Sequence, residues 1–171
     1  MRIVDSPNQD ERPPDTEITL VVLHSISLPP GEYGGDAIER LFTNRLDSAA
    51  HPYFKEIEGL KVSAHFLIRR DGSVIRFVPV ERRAWHAGVS CWRGRERCND
   101  FSVGIELEGS EDDVFAPAQY DSLVFLIQQL RNTLPIRDLA AHSDVAPGRK
   151  TDPGAHFDWA RLLAALAQPA H

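Results

Sequence analysis

Histidine has the clearest chemical potential in this sequence, because two of its seven histidines each end a short apolar run. His24 follows Leu20–Leu23, and His142 follows Leu139–Ala141. Such runs are typical of buried strands, and functional sites collect where the strands of an open sheet end. Asp152 lies ten residues beyond His142. Two imidazoles and one carboxylate would give Zn²⁺ three ligands and leave a fourth position for water, as in catalytic zinc sites.

The spacing of these residues also allows a structural interpretation. The two histidines could cap their strands, and Asp152 could cap the turn at Pro153-Gly154. No compact ligand motif such as H-E-x-x-H is present in the sequence. Residue types and spacing alone therefore leave both interpretations open.

Two further polar residues could act beside a metal centre. Glu106 lies opposite the apolar face of the predicted strand Phe101–Leu107, where it could accept a proton from water. Glu108 lies on the same strand face and fits the pattern equally well. Lys150 precedes Asp152 by two positions, so in an extended segment it would point the same way and could stabilise an oxyanion. A solvated glutamate and a surface lysine are the alternatives.

A basic cluster interrupts this acidic chain, whose formal net charge is −6. It is the segment Trp92–Arg97, which contains three arginines, and guanidinium groups suit carboxylate ligands. Trp85, beside His86, could stack on a sugar or pack in the core. The negative charge of the whole chain argues against nucleic acid as a partner.

The elements that must position these residues follow from the hydropathy pattern. Strands are predicted over Thr19–Leu23, Ser63–Ile68, Val74–Val78, Phe101–Leu107 and Leu139–Ala141, with a hairpin turn at Arg70-Asp71-Gly72. Helices are predicted around Ile38–Phe42 with Asp36 as N-cap, over Pro117–Asn132, and over Trp159–Leu166 with Asp158 as N-cap. This order predicts an α/β (α+β) fold: a single domain with a central mixed β-sheet flanked by helices.

The length of 171 residues suits one domain. We expect an extended N-terminal arm over residues 1–14 and the domain over 15–171. The longest apolar run, Ile18–Leu23, is far shorter than the roughly 20 residues of a membrane-spanning helix. The N-terminus has no apolar segment typical of a secretion signal. We therefore expect a cytoplasmic protein without membrane association, with Cys91 and Cys98 reduced, and without an evident obligatory protein partner.

Six stretches of the sequence resemble the zinc N-acetylmuramoyl-L-alanine amidase family, whose fold is shared with peptidoglycan-recognition proteins and phage T7 lysozyme. The stretches are VLHSISLPPGE from Val22, VSAHFLIRRDG from Val62, RAWHAG from Arg83, GRERCNDFS from Gly94, GIELEG from Gly104, and the tail His142–Gly154. They span nearly the whole chain. The resemblance therefore favours the metal interpretation.

The resemblance implies a zinc ion held by His24, His142 and Asp152. It implies that Glu106 is the catalytic carboxylate and that Lys150 is the partner of the oxyanion. The implied reaction is hydrolysis of the amide bond between the lactyl group of (1,6-anhydro-)N-acetylmuramic acid and L-alanine. This is the reaction of the cytoplasmic amidases that act on muropeptides in cell-wall recycling.

The implied partner is a small anionic muropeptide. Trp85 falls where the family contacts the sugar, and Lys61 and Arg97 fall where it meets the diaminopimelate carboxylate of the stem peptide. Two departures concern the substrate: Ser25 follows His24 where relatives often have asparagine, and Lys61 stands where arginine is common. The alternative is a binding module of this fold that recognises muropeptides without cleaving them. Such modules lack a complete ligand set, whereas this sequence keeps all three candidate ligands.

Overall fold

A six-stranded mixed sheet forms the centre of the computed structural model, which describes residues 1–169. The strands in chain order are β1 (Arg2–Ile3), β2 (Gln9–Glu11), β3 (Leu20–Ile26), β4 (Phe66–Ile68), β5 (Val74–Arg76), β6 (Arg82–Ala84), β7 (Cys91–Trp92), β8 (Arg95–Glu96), β9 (Ser102–Glu108) and β10 (Asp138–Ala141). The order across the central sheet is β1-β5-β4-β9-β3-β10. Only the β4–β5 pair in it is antiparallel. Two small antiparallel pairs, β2–β6 and β7–β8, lie outside it.

Helices cover both faces of this sheet. They are α1 (Ala37–Phe42), α2 (Pro52–Glu56), α3 (Pro117–Thr133), α4 (His142–Val145) and α5 (Trp159–Leu166), with a 3₁₀ turn over Cys98–Phe101. Apolar residues of α3 and α5 pack on one face, and those of α1 and α2 pack on the other. The predicted α/β architecture with a central mixed sheet is confirmed. Among residues 1–169, none of the helices has the length and apolar composition needed to cross a bilayer.

The bounds of three strands differ from their predictions by two residues or more. β3 continues past His24 to Ile26, because β9 pairs with it along its whole length. β4 is shorter than the predicted Ser63–Ile68, because the backbone N–H of Ser63 donates a 2.9 Å hydrogen bond to the carbonyl oxygen of Trp85, outside the sheet. β5 ends at Arg76, two residues before the predicted end.

Phe101 does not share the apolar strand face predicted for it. It ends the 3₁₀ turn and packs with Leu20 and Val22, whereas Val103 and Ile105 pack in the cluster on the opposite face. The chain enters β9 through a turn, so the alternation of the strand does not extend back to Phe101.

The two predicted helix N-caps behave differently. Asp158 caps α5, because its carboxylate accepts a hydrogen bond of 2.9 Å from the backbone N–H of Arg161. Asp36 precedes α1 but makes no such bond; its carboxylate accepts instead from Arg40 Nε at 2.7 Å. The carboxylate of Asp36 thus pairs with an arginine one turn into the helix.

The predicted N-terminal arm includes β1, the edge strand of the central sheet, and Arg12 joins its last residues to other segments of the chain. The guanidinium of Arg12 donates hydrogen bonds to the carbonyl oxygens of Val80 (2.8 Å), Asn99 (3.1 Å), Asp100 (3.1 Å) and Ser102 (2.9 Å). Burial lowers the pKa of Arg12 to about 10, so the side chain stays charged at neutral pH. Arg12 therefore joins the arm to the 3₁₀ turn and to the start of β9.

His65 connects β9 and β6 through a fully buried imidazole ring. Its Nδ1 accepts a 3.0 Å hydrogen bond from Gly104 N, and its Nε2 donates a 2.9 Å bond to the carbonyl oxygen of Arg82. Burial lowers the pKa of His65 to about 3; the bond to Arg82 opposes this shift, and the nearby charge of Arg12 adds to it. The ring is therefore neutral in the folded protein across the physiological range.

This neutral ring predicts an acid-sensitive contribution to stability. Because the folded-state pKa lies below the unfolded value of about 6.5, the contribution of His65 is complete above that pH and is lost as the pH falls. At pH 5 the loss amounts to about 2 kcal/mol relative to pH 8. The variant His65→Gln lacks the titrating group, so only the wild type undergoes this loss. The difference in unfolding free energy between wild type and variant should therefore shrink by that amount from pH 8 to pH 5. Urea unfolding at both pH values, in chelator, measures it; a constant difference would contradict the prediction.

Candidate metal and catalytic site

The parallel pairing of β3 with two neighbours brings polar side chains to one edge of the sheet. His24 of β3 lies directly beside Glu106 of β9, and Leu23 lies beside Ala141, the last residue of β10. His142 follows as the first residue of α4. The carboxyl ends of these strands form the crevice where open α/β sheets place their ligands.

Asp152 completes a cluster with the two histidines. Its backbone carbonyl accepts a 3.1 Å hydrogen bond from Ser143 N, which brings its loop back over the start of α4. The Nδ1 atoms of His24 and His142 lie 2.9 Å apart, and each lies 3.2 Å from a carboxylate oxygen of Asp152. Two imidazoles and one carboxylate thus converge on a single point.

The geometry of this cluster fits a metal ion. Donor atoms bound about 2.0–2.1 Å from one tetrahedral ion lie about 3.3 Å from each other, close to the distances found here. His142 Nε2 donates a 3.0 Å hydrogen bond to the carbonyl oxygen of Ala87, so the lone pair of His142 is on Nδ1, facing the centre. With acceptors pointing at one another from three sides, a cation is the ligand that the site accommodates best.

The ionisation of the cluster also suits a metal. Burial lowers the pKa of His24, although the neighbouring carboxylate of Asp152 opposes the shift. Burial opposes ionisation of Asp152, but the closeness of the His142 and His24 imidazoles holds its pKa well below the usual range. The cluster therefore combines a neutral imidazole at His24 with an ionised carboxylate at Asp152, which are the forms that bind metals.

Glu106 stands beside this cluster with a free carboxylate oxygen. Its side chain is buried, and its Oε1 lies 4.0 Å from His24 Nδ1. Within the described residues 1–169, its Oε2 has no hydrogen-bond partner. Burial, and next the charge of Asp152, raise the pKa of Glu106 well above the usual value, while Lys150 opposes the shift. A buried carboxylate with one free oxygen beside a candidate metal site is a candidate proton acceptor.

Glu108 has a different environment from Glu106, although it lies on the same strand face. Its buried carboxylate accepts hydrogen bonds from Arg69 Nη1 (2.8 Å), Gly34 N (2.9 Å) and Arg70 N (3.1 Å). Both of its oxygens are therefore engaged in joining the loop after β3 to the β4–β5 hairpin.

The cluster opens into a cavity of about 670 Å³. Trp85, which is half-buried, and Lys150, which is exposed, line it together with the cluster and Glu106. The wall also has an apolar part formed by Leu28, Leu41, Phe42, Tyr53, Ile57, Leu60 and Val62. The cavity can therefore take a ligand that has both a polar reacting group and a less polar body.

Lys61 and Arg97 lie outside the wall of this cavity. Lys61 is exposed and lines a smaller cavity of about 250 Å³, which shares Leu41, Ile57 and Leu60 with the larger one. Arg97 is exposed in the turn after β8, in the left-handed backbone region with φ of 59°. The structure thus places Trp85 in the cavity that contains the cluster. The two predicted peptide-binding residues, Lys61 and Arg97, each lie outside the wall of that cavity.

The other two arginines of the basic cluster have partners in the protein. Arg93 Nη2 lies 3.2 Å from a carboxylate oxygen of Asp138, and the guanidinium of Arg95 lies over the ring of Phe101 at 4.1 Å. Both cysteines near this hairpin carry free thiols, exposed at Cys91 and buried at Cys98.

Several residues that surround the cluster lie outside the predicted set of ligands and catalytic residues. His86 Nδ1 lies 2.8 Å from His24 Nε2, and Arg149 Nη2 donates a 2.6 Å hydrogen bond to the carbonyl oxygen of Ala87. In the sequence, the position of His86 beside Trp85 is a weak indication that it belongs to the site. Ala87 contributes only a backbone carbonyl, which no residue pattern marks.

Comparison with known proteins identifies the family. The model of the N-acetylmuramoyl-L-alanine amidase family matches residues 14–155. The 1,6-anhydro-N-acetylmuramyl-L-alanine amidase AmpD of Enterobacter cloacae is 56% identical over 167 residues, which cover 96% of this chain and 89% of the relative. The crystal structure of a Se-Met AmpD derivative superposes with a TM-score of 0.93 at 53% identity, covering 96% of this chain and 93% of the other.

A more distant structure was solved with a ligand. AMPDH3 from Pseudomonas aeruginosa, in complex with an anhydromuramic pentapeptide, has a TM-score of 0.62 at 28% identity and covers 96% of this chain and 66% of its own. Since the family model covers most of the sequence and the relatives match nearly its full length, the resemblance found in the sequence is confirmed. This chain belongs to the N-acetylmuramoyl-L-alanine amidase family.

Proposed function

We propose that this protein hydrolyses the amide bond between the lactyl group of 1,6-anhydro-N-acetylmuramic acid and L-alanine in muropeptides. The observation that carries the proposal is the buried carboxylate of Glu106, whose Oε2 has no partner among residues 1–169, beside the three converging ligand atoms of His24, His142 and Asp152. The name of the Enterobacter cloacae relative supports the anhydro sugar as the substrate class. The ligand in the AMPDH3 complex supports the peptide part.

Zinc is the metal we propose for the cluster. Imidazole and carboxylate ligands suit this ion, and three protein ligands with a fourth open position are typical of its catalytic sites. When bound, zinc supplies Lewis acidity, which polarises the scissile carbonyl and lowers the pKa of water toward neutrality. His24, His142 and Asp152 would hold it.

The side chains around the cluster supply the proton transfers. Glu106 accepts a proton from the attacking water, for which its buried position beside the cluster and its Oε2, unpartnered among residues 1–169, suit it. The protonated carboxyl then donates to the amide nitrogen, so that L-alanine leaves as an amine. The ammonium of Lys150 stabilises the negative charge that develops on the carbonyl oxygen. Trp85 contacts the sugar on the cavity wall.

The substrate is anionic, as is the protein with its net charge of −6, so local cations must offset long-range repulsion. We propose that Arg97 and Lys61 recognise the diaminopimelate carboxylate of the stem peptide. Their position outside the cavity wall is consistent with a peptide that extends from the cluster over the surface.

Mass spectrometry of a purified anhydro-muropeptide, incubated with and without chelator, tests the function directly. We expect two products, the anhydro sugar and the free peptide, whose masses together exceed that of the substrate by one water. Chelator should prevent their formation. Retention of uncleaved substrate by the protein under both conditions would instead indicate a binding module.

Asp152→Ala should remove the metal. The variant should lose bound zinc and hydrolysis yet keep its fold, because the apolar core of the sheet lies away from the cluster. Zinc content and circular dichroism are measured on one sample. The matched control is Asp112→Ala, which removes an exposed carboxylate from the same cavity wall and should keep its zinc. Full zinc occupancy in the Asp152 variant would show that the third ligand is wrong.

Glu106→Gln should separate metal binding from proton transfer. Glutamine keeps the shape but cannot accept a proton, so zinc and substrate binding should persist while turnover falls roughly 10²–10⁴-fold. Single-turnover rates, zinc content and ligand affinity decide the matter. The control is Glu111→Gln, an exposed glutamate of the same cavity, because Glu108 is engaged by Arg69 and would perturb the fold. An active Glu106 variant would disprove the role of this residue.

Arg97→Ala should weaken binding of a peptide that contains diaminopimelate by about 1.5–3 kcal/mol, the usual contribution of a charged hydrogen bond. A substrate that ends before that residue serves as the control and should bind the variant as well as the wild type. Calorimetry with both ligands measures the difference. Equal losses for the two would remove Arg97 from peptide recognition.

A further inference from the structure

His86 and Ala87 are adjacent residues that face both histidines of the cluster. His86 Nδ1 lies 2.8 Å from His24 Nε2, and the carbonyl oxygen of Ala87 accepts a 3.0 Å hydrogen bond from His142 Nε2. Each histidine thus has one nitrogen in the cluster and the other on this segment. When the ring nitrogen that faces away from the cluster donates its proton to a partner, the nitrogen that faces the cluster keeps its lone pair.

The side-chain oxygen of Asn99 holds this segment in place. Asn99 Oδ1 accepts a 3.1 Å hydrogen bond from the backbone N–H of His86 and a 2.8 Å bond from that of Ala87. The backbone carbonyl of Asn99 in turn accepts from Arg12 of the N-terminal arm at 3.1 Å. One amide oxygen therefore binds the backbone N–H groups of the two consecutive residues that carry the partners of both histidines.

The ring of His86 is seated against the sheet. A Cβ atom at Gly104 would lie 2.4 Å from His86 Cγ, so the ring occupies the space that a side chain on β9 would need. Its Nε2 lies 3.1 Å from Ser102 Oγ, also on β9. The imidazole is thus confined between β9 and His24, and it has one polar partner on each nitrogen.

We propose that His86 and Asn99 are positioning residues of the metal site. His24 Nε2–H donates to His86 Nδ1, and His86 Nε2–H donates to Ser102 Oγ. The bond from His142 Nε2–H to the carbonyl oxygen of Ala87 orients the second histidine in the same way. Asn99 holds both His86 and Ala87 in place. The Nδ1 lone pairs of His24 and His142 are thereby directed at the metal. This inference rests on the proposed metal site.

The test compares zinc affinity and imidazole protection in two Asn99 variants. Asn99→Asp keeps the oxygen acceptor, whereas Asn99→Leu has similar volume and accepts nothing. Zinc dissociation constants come from competition with a chromophoric chelator. Exchange of the His24 and His142 Nε2–H protons with water is followed by NMR of the zinc-loaded protein. The control for the chemical change is Asn132→Leu, at an exposed position of α3.

We expect the leucine variant at position 99 to bind zinc about 10- to 100-fold more weakly and to exchange both imidazole protons faster. The aspartate variant and the Asn132 control should stay within a few-fold of wild type. Wild-type zinc affinity and slow exchange in Asn99→Leu would overturn the inference. So would an Nδ1–H proton on either histidine in the zinc-loaded wild type, a result that needs no folded variant. A wild type that binds no zinc would refute the proposed metal site itself, which separates the two failures.

Discussion

The in-register parallel alignment of β3 with β9 and β10 is the constraint on which the rest of the site depends. It sets His24 beside Glu106 and ends β10 where His142 must follow. Because side chains alternate along a strand, the same register sends Val21 and Leu23 into the apolar cluster under α3 and α5. One arrangement of backbone hydrogen bonds therefore builds the core under α3 and α5 on one face of the sheet and directs His24 and Glu106 to the other.

Burying the polar side chains of the cluster is unfavourable unless each group has a partner. Buried acceptors that point at one another are costly, and the structure satisfies the outer nitrogens while leaving the inner ones free. His65 shows the opposite solution, since both of its nitrogens are engaged by backbone groups and its ring is a structural element. The histidines of the cluster differ because their Nδ1 atoms face each other and Asp152. That difference separates a candidate metal site from a structural histidine.

Charge is distributed unevenly over this acidic protein. Arg69 and Arg12 are engaged in holding loops and the N-terminal arm, and Arg93 pairs with Asp138. Lys150 remains in the cavity wall, near Glu106 and Asp152, without a comparable structural partner among residues 1–169. The cations that hold the fold and the cation that lines the cavity are therefore different residues, so the cavity keeps a local positive charge despite the overall negative charge.

The sequence by itself determined the layer architecture, the main strands and helices, and the short list of residues that could bind a metal. Those features are local, since apolar periodicity and turn residues record which face of each element is buried. Only the tertiary structure distinguished the free oxygen of Glu106 from the engaged carboxylate of Glu108. It also moved Phe101 to the opposite face and revealed the support from His86 and Ala87. These outcomes depend on which distant groups become hydrogen-bond partners, and that is set by strand register and chain packing, which leave no periodic signal in the residues themselves.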